Sequence, residues 1–247
     1  MEVVVGTCGF SGKGGRKNYF QKFSAVELQD TFYRVVPDET LRKWREEAPA
    51  GFEFTLKAFQ GITHPKTSPT WRRAGGIKPT ESHGFFKPTP EVFSGWEYTM
   101  RAASILRSRV VVFQTPPSFG PTEENLENLK AFFSKINRGD LILGWEPRGK
   151  WNEKPDLLAE VLKRYDLIHV VDPFRRLPLV VGKVLYFRLH GIGRGEVNYS
   201  YRYTEEDLGR LAMMIKQFES SRIYIFFNNI NMFTDALEFK ERFLSLA

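Results

Sequence analysis

Short apolar runs recur along the chain, each closing on a polar or glycine-bearing turn. The clearest spans residues 184–191 and reads Val-Leu-Tyr-Phe-Arg-Leu-His-Gly. Side chains alternate across a strand, so Leu185, Phe187 and Leu189 share one face while Val184, Tyr186, Arg188 and His190 share the other. The second face turns from apolar to polar toward its C-terminal end. A strand buried on both faces has little reason to carry Arg and His unless that end opens onto a site. Runs of the same kind predict further strands at 2–5, 25–29, 52–57, 110–114, 141–146, 167–171 and 223–227. Helical spacing predicts helices over 39–48, with Asp38 as N-cap, and over 91–106, 123–136, 154–165, 205–218 and 235–246.

Two connections stand out. Residues 9–17 read as a glycine-lysine loop, and 61–90 form a stretch rich in Pro, Gly, Thr and Ser that is too long for an ordinary link. The link after the sixth strand is Pro-rich and is expected to lack a full helix. Eight strands mostly separated by helices predict parallel pairing through right-handed crossovers. The count matches a TIM-type (β/α)8 barrel occupying residues 1–247 as one domain, with 61–90 as a loop excursion. An open doubly wound sheet is the competing architecture, but no Gly-x-Gly-x-x-Gly follows any strand.

In a barrel of this kind the active site lies at the C-terminal ends of the strands. Those ends carry Thr7, Glu27, Gln29, Lys57, Gln114, Glu146 with Arg148, Asp172, Arg188 with His190, and Asn228 with Asn229. Tyr33 follows strand two, His64 lies on the loop after strand three, and Tyr201 and Tyr203 lie on the loop after strand seven. Any one of these could cap a strand or serve a turn; together they predict a polar pocket.

At this point the motifs resemble a known family. Gly6-Thr7-Cys8-Gly9-Phe10 resembles a Gly-Thr-Ser-Gly-Trp opening, and the run from Val26 to Tyr33 resembles Val-Glu-Ile-Asn-x-Thr-Phe-Tyr. Ile62-Thr63-His64 after Lys57, Phe113-Gln114-Thr115-Pro116-Pro117, Arg188-Leu189-His190-Gly191 and Phe227-Asn228-Asn229 follow in order. Together they are similar to the domain-of-unknown-function 72 family, a set of single-domain (β/α)8 barrels. The resemblance implies a fold and a pocket but no reaction. The chain departs from the pattern at Phe10, Gln29 and Cys8, where Trp, Asn and Ser are usual. The run from Trp145 to Trp151 keeps Glu-x-Arg but lacks the His that often follows the Arg.

Composition narrows the classes. Of 247 residues, 42% are hydrophobic and 22 are Phe, which suits an aromatic core. No run approaches the ~20 apolar residues that span a bilayer, and the chain opens on a strand without a leader pattern. The single Cys8 excludes an internal disulfide, and a cytoplasmic location is expected. A net charge of +7 suits an anionic small molecule or nucleic acid as partner, or merely a soluble basic protein. The sequence leaves the oligomeric state open.

Several chemistries fit the strand ends. Glu27, Glu146 and Asp172 could supply paired carboxylates, as glycosidic hydrolysis requires. Alternatively, Glu146 could pair with Arg148 or Arg188, and Glu27 with Lys57 from the neighbouring strand, which is the preferred reading for Glu27. His64 and His190 with Glu146 or Asp172 could ligate a divalent metal. However, four histidines are few for a multi-zinc centre of the endonuclease IV type. No organic cofactor is expected. Lys57, Arg148, Arg188 and His190 with Gln114, Asn228 and Asn229 form a donor set suited to phosphate or carboxylate. Lys13, Arg16 and Lys17 add a basic rim but not a P-loop, since Thr7 stands at the first glycine and Gly14 follows Lys13. Trp71, Arg72, Arg73 and Phe85-Phe86 could bind single-stranded nucleic acid, or the rings could pin their loop to the core. A nucleophilic Cys8 is not expected, and no Gly-x-Ser-x-Gly elbow occurs.

The favoured expectation is an enzyme of hydrolase or isomerase class acting on a phosphorylated or polyhydroxylated substrate. Glu146 would be base or nucleophile and His190 the acid, with Glu27 and Asp172 as further acidic candidates. Thr7, Gln29, Tyr33, Lys57, His64, Gln114, Arg148, Arg188, Tyr201, Tyr203, Asn228 and Asn229 would contact substrate. A nucleic-acid-binding or metal-dependent nuclease-like barrel, or a non-catalytic ligand-binding barrel, is the alternative.

Overall fold

The computed structural model describes residues 1–193 and 195–246. Strand and helix alternate along the chain. The order is β1 (Glu2–Thr7), α1 (Gly15–Lys22), β2 (Ala25–Leu28), α2 (Asp30–Tyr33), α3 (Asp38–Glu47), β3 (Glu53–Lys57) and α4 (Gln60–Thr63). It continues with α5 (Pro90–Leu106), β4 (Val110–Gln114), α6 (Glu123–Lys135), β5 (Ile142–Glu146), α7 (Pro155–Arg164) and β6 (Leu167–His169). The chain closes with β7 (Val184–Leu189), α8 (Glu205–Ile215), β8 (Arg222–Phe227) and α9 (Met232–Glu238). The strands run in the orders β2-β3-β4-β5-β6 and β1-β8-β7, and the pairs β1–β8, β3–β4, β4–β5 and β7–β8 are parallel.

The chain packs as two compact units. The first comprises Met1–Glu27, Ala48–Glu53 and the chain from Ile168 onward; the second comprises Leu28–Glu47 and Phe54–Leu167. In the first unit β8 lies between β1 and β7, with Thr7 and Leu189 both opposite Phe227. Apolar residues bury both faces of β8: Ile223, Tyr224, Ile225, Phe226 and Phe227 are all at most 1% exposed. Gly6 is dictated by proximity, since a Cβ there would stand 2.4 Å from the Ala25 carbonyl oxygen. Helix α8 begins at a capping box in which the Thr204 and Asp207 side chains satisfy each other's backbone N–H groups.

The second unit is built on β3-β4-β5, with Thr55 opposite Val110 and Gln114 opposite Glu146. The long stretch after β3 folds down onto this sheet. Trp71 N–H donates to the Pro65 carbonyl at 2.9 Å, with its ring edge-on to Phe59 and His83. Phe86, fully buried, packs among Phe113, Phe119 and Phe132. These rings pin the loop, as one of the two expectations held, and the buried ones offer no platform for a base to stack on.

Some boundaries differ from expectation. The glycine-lysine stretch contains α1, which starts after Gly14 in the left-handed region at φ 88°. Its buried residue, Tyr19, hydrogen-bonds Thr7 and Ala25, so tertiary contacts hold a helix with little apolar periodicity. Strand β6 stops at His169, whose Nδ1 accepts from Leu179 N at 3.0 Å, and extended pairing recurs only as a bridge between Val171 and Phe187. No helix separates β6 from β7, as the prolines imply. The last helix begins at Met232 and passes into a π-turn over Phe239–Phe243. Among the described residues no helix is long and apolar enough to cross a membrane.

Candidate functional site

The polar strand ends form two clusters, one in each unit. In the second unit the parallel register sets Gln114 and Glu146 side by side at the ends of β4 and β5. Lys57, at the end of β3, donates from Nζ to Gln114 Oε1 at 2.9 Å and lies 3.6 Å over the Phe32 ring. Gln114 Nε2 donates in turn to the Thr115 carbonyl at 2.9 Å. Glu146 Oε1 accepts from Arg148 Nε at 3.0 Å and Nη2 at 2.8 Å, so the guanidinium fixes the orientation of the carboxylate. His64, 3% exposed, shares a 2.8 Å bond between its Nδ1 and the Thr63 hydroxyl and meets the edge of Phe32. Burial, then the charges of Lys57 and Arg148, hold its pKa well below the ordinary histidine value. His64 is therefore neutral, and the field acting on it is positive.

Tyr33 and Gln29 belong to this unit as well. Tyr33 is half-buried, carries the Arg73 guanidinium 3.6 Å above its ring, and gives its carbonyl to Gln60 Nε2 at 2.7 Å. Gln29 is the half-buried N-cap of α2.

The first unit organises its polar ends around two carboxylates. Glu27, fully buried on β2, accepts from Arg188 Nε at 3.1 and 3.0 Å, from Arg188 Nη2 at 2.9 Å and from the Tyr186 hydroxyl at 2.8 Å. Arg188 and Tyr186 are two apart on β7 and share a face, as the alternation predicts. A guanidinium from β7 thus grips the Glu27 carboxylate. Cys8 bridges to Glu27 across the backbone, and burial followed by the Glu27 charge pushes its thiol well above the ordinary range. Asp172 Oδ2 accepts from His190 N at 2.8 Å, and its Oδ1 accepts from Phe174 N at 3.0 Å. The His190 ring Nδ1 stands 3.9 Å from Asp172 Oδ2.

Several expected ligand contacts are engaged by the scaffold. The Thr7 hydroxyl bonds Tyr19 and the Gly9 carbonyl. Tyr201 donates to Asp207 Oδ2 at 2.6 Å, a bond that with burial pushes its phenol up to about 12. The Tyr203 hydroxyl accepts from Gly191 N at 2.8 Å, and burial raises its phenol further. Asn229 Nδ2 donates to the Tyr201 carbonyl, whereas Asn228 is half-buried with its backbone N–H on the Leu189 carbonyl. Sequence reasoning missed Arg175, whose guanidinium donates to the carbonyls of Gly191, Gly193 and Gly195, and Asp235, buried beneath Asn229. Neither stands at a strand end, so alternation gave no signal for them.

Among the described residues no three His, Cys, Asp or Glu side chains are placed to hold a metal ion.

The fold defines a class: a parallel (β/α)8 barrel of the TIM type. Endonuclease IV from Thermus thermophilus is alike at that level, with a TM-score of 0.54, 14% identity and coverage of 100% of this chain and 98% of that one. A DUF72 family protein from Thermotoga maritima is more similar, with a TM-score of 0.72, 23% identity and 98% of each chain covered. The UPF0759 protein YunF of Bacillus subtilis is 26% identical over 92% of this chain and 84% of its own length. The family described as "Protein of unknown function DUF72" matches residues 10–247, and the chain belongs to it.

Proposed function

We propose that the protein is an enzyme that binds an anionic substrate, phosphorylated or polyhydroxylated, and moves a proton on it with Glu146 as the base. One observation carries this reading: Arg148 orients the Glu146 carboxylate while burial, joined by the charges of Lys57 and Arg148, keeps the neighbouring His64 neutral. With His64 neutral, Lys57, Arg148 and Glu146 sum to one positive charge, so an anion is welcomed rather than repelled. Lys57 and Gln114 would hold its charged or hydroxyl groups, and neutral His64 would accept or donate a hydrogen bond without changing the charge. A nuclease among the fold neighbours is in keeping with an anionic substrate.

In the other unit, Glu27 is neutralised by Arg188, and Asp172 is engaged by two backbone amides; both are assigned to holding strand ends rather than to proton transfer.

The test is a turnover panel pairing phosphorylated with unphosphorylated sugars and polyols, alongside short oligonucleotides, assayed for isomerisation and hydrolysis. Turnover of a phosphorylated member in preference to its neutral counterpart is expected. Exclusive turnover of neutral members would refute the anionic reading. Salt-sensitive oligonucleotide binding without any turnover would move the protein to the non-catalytic class.

A further inference from the structure

Two buried polar atoms without a hydrogen-bond partner belong to one network. Asn229 Oδ1, just beyond β8, and Asp235 Oδ1, on α9, are unpartnered although the residues are only 4% and 0% exposed. Their side chains already meet, because Asn229 Nδ2 donates to Asp235 Oδ2 at 2.6 Å. The same amide nitrogen donates to the Tyr201 carbonyl at 2.7 Å, which fixes the orientation of the carboxamide: a flip would set oxygen against oxygen. Tyr203 N donates to Asp235 Oδ2 as well, at 3.3 Å. One carboxyl oxygen therefore takes two N–H groups while the other takes none, and the carboxamide oxygen takes none either. An ionised carboxylate buried this deeply ordinarily gathers donors on both oxygens.

We propose that Asp235 is held as a neutral carboxylic acid whose Oδ1–H donates to Asn229 Oδ1, closing a cyclic acid–amide pair. One proton supplies the donor that both unpartnered atoms lack. Oδ2 remains the carbonyl acceptor for Asn229 and Tyr203.

The surroundings suit a neutral acid. Burial raises the carboxyl, the bonds from Asn229 and Tyr203 oppose this, Arg202 lowers it and Glu238 raises it. The strands packed on α9 carry charge only at Glu2 and Arg222, which pair with each other at the N-terminal ends of β1 and β8. On the following π-turn, Lys240 turns to the Lys22 carbonyl and Arg242 to Glu205 and Glu238. Helix α1 meets α9 through aromatic rings, Tyr19 and Phe23 against Phe233.

The pair acts as a latch, tying α9 to the end of β8 and to the segment from Tyr201 to Tyr203, whose hydroxyl in turn holds Gly191 N. Asp235 is thus a positioning residue for Asn228, Asn229 and the loop after β7.

The deciding experiment follows the Asp235 carboxyl carbon of 13C-labelled wild-type protein by NMR as pH is raised, with the resonance assigned on the wild type. The expected result is a protonated shift that persists beyond the ordinary aspartate value of 3.8. Titration at or below that value would overturn the proposal and leave the two oxygens to a shared water. Asp235→Asn supplies a second reading, because its carboxamide can donate to Asn229 Oδ1 as the acid does. The folded state binds the proton more tightly than the unfolded chain, so wild-type stability falls as pH rises from the unfolded to the folded pKa. Across that window the wild-type folding constant should fall by up to about tenfold per pH unit relative to Asp235→Asn. A variant less stable than wild type at every pH, by a constant factor, would show that the site uses the charged carboxylate. Should Asp235→Asn not fold, the wild-type titration decides alone.

Discussion

Replacing Arg188 by Met removes the guanidinium that holds Glu27, and the structure sets the size of the effect. The two side chains are 1% and 0% exposed, so neither charge is solvated by water. The guanidinium supplies the 2.9 to 3.1 Å contacts on both carboxylate oxygens, and the Tyr186 hydroxyl stays as a neutral donor. Breaking a buried pair by removing one partner costs about 3–5 kcal/mol, because the remaining charge stays desolvated. In a chain of this size 1 kcal/mol moves the melting temperature by about 2–4 °C, so Arg188→Met should melt roughly 6–20 °C below wild type. Arg188→Lys keeps the charge but loses the two-pronged geometry, and should fall between the two. Equilibrium urea denaturation and thermal melts of the three proteins measure this. A loss below about 1 kcal/mol for Arg188→Met would refute the reasoning, since that is the value of a solvent-exposed pair.

Other outcomes follow from the same structure. His64 has a folded pKa below its ordinary value, so the unfolded chain takes up a proton first on acidification; stability should fall as pH drops below about 6.5, and His64→Gln should remove that part of the slope. An imidazole titrating normally by NMR would contradict this. Cys8 should resist a thiol reagent in the native protein and react fully on unfolding; rapid native labelling would contradict its burial. Gly191→Ala should destabilise and expose the loop after β7 to proteolysis, because Gly191 has φ 82° and a Cβ there would stand 2.1 Å from the Asn198 carbonyl oxygen. Wild-type proteolysis kinetics would contradict it.

The strands were legible because each is a short apolar run with a sharp stop, and within a unit parallel neighbours such as β4 and β5 bring their polar stops, Gln114 and Glu146, side by side. The face-sharing of Tyr186 and Arg188 followed from alternation alone. Partner choice was not legible: Glu27 meets Arg188 across 161 residues of sequence, and local pattern holds no information on such a pairing. Helix α1 escaped notice because its stability rests on one buried Tyr19 rather than on a repeating apolar face. Asp235 looked like an ordinary helical acid, since nothing in its neighbours reveals that it is buried against Asn229.

The central claim is that Glu146 moves a proton and is not merely half of a structural ion pair. It is tested most directly by comparing Glu146→Gln with wild type in turnover of the substrate found by the panel and in melting temperature. Removing a general base costs about 10²–10⁴-fold in rate. The account predicts a loss of that size in kcat with a melting temperature within about 4 °C of wild type, because glutamine keeps the shape and Arg148 retains contact with water. Unchanged turnover, or a collapse in stability that alone explains the loss of activity, would contradict it.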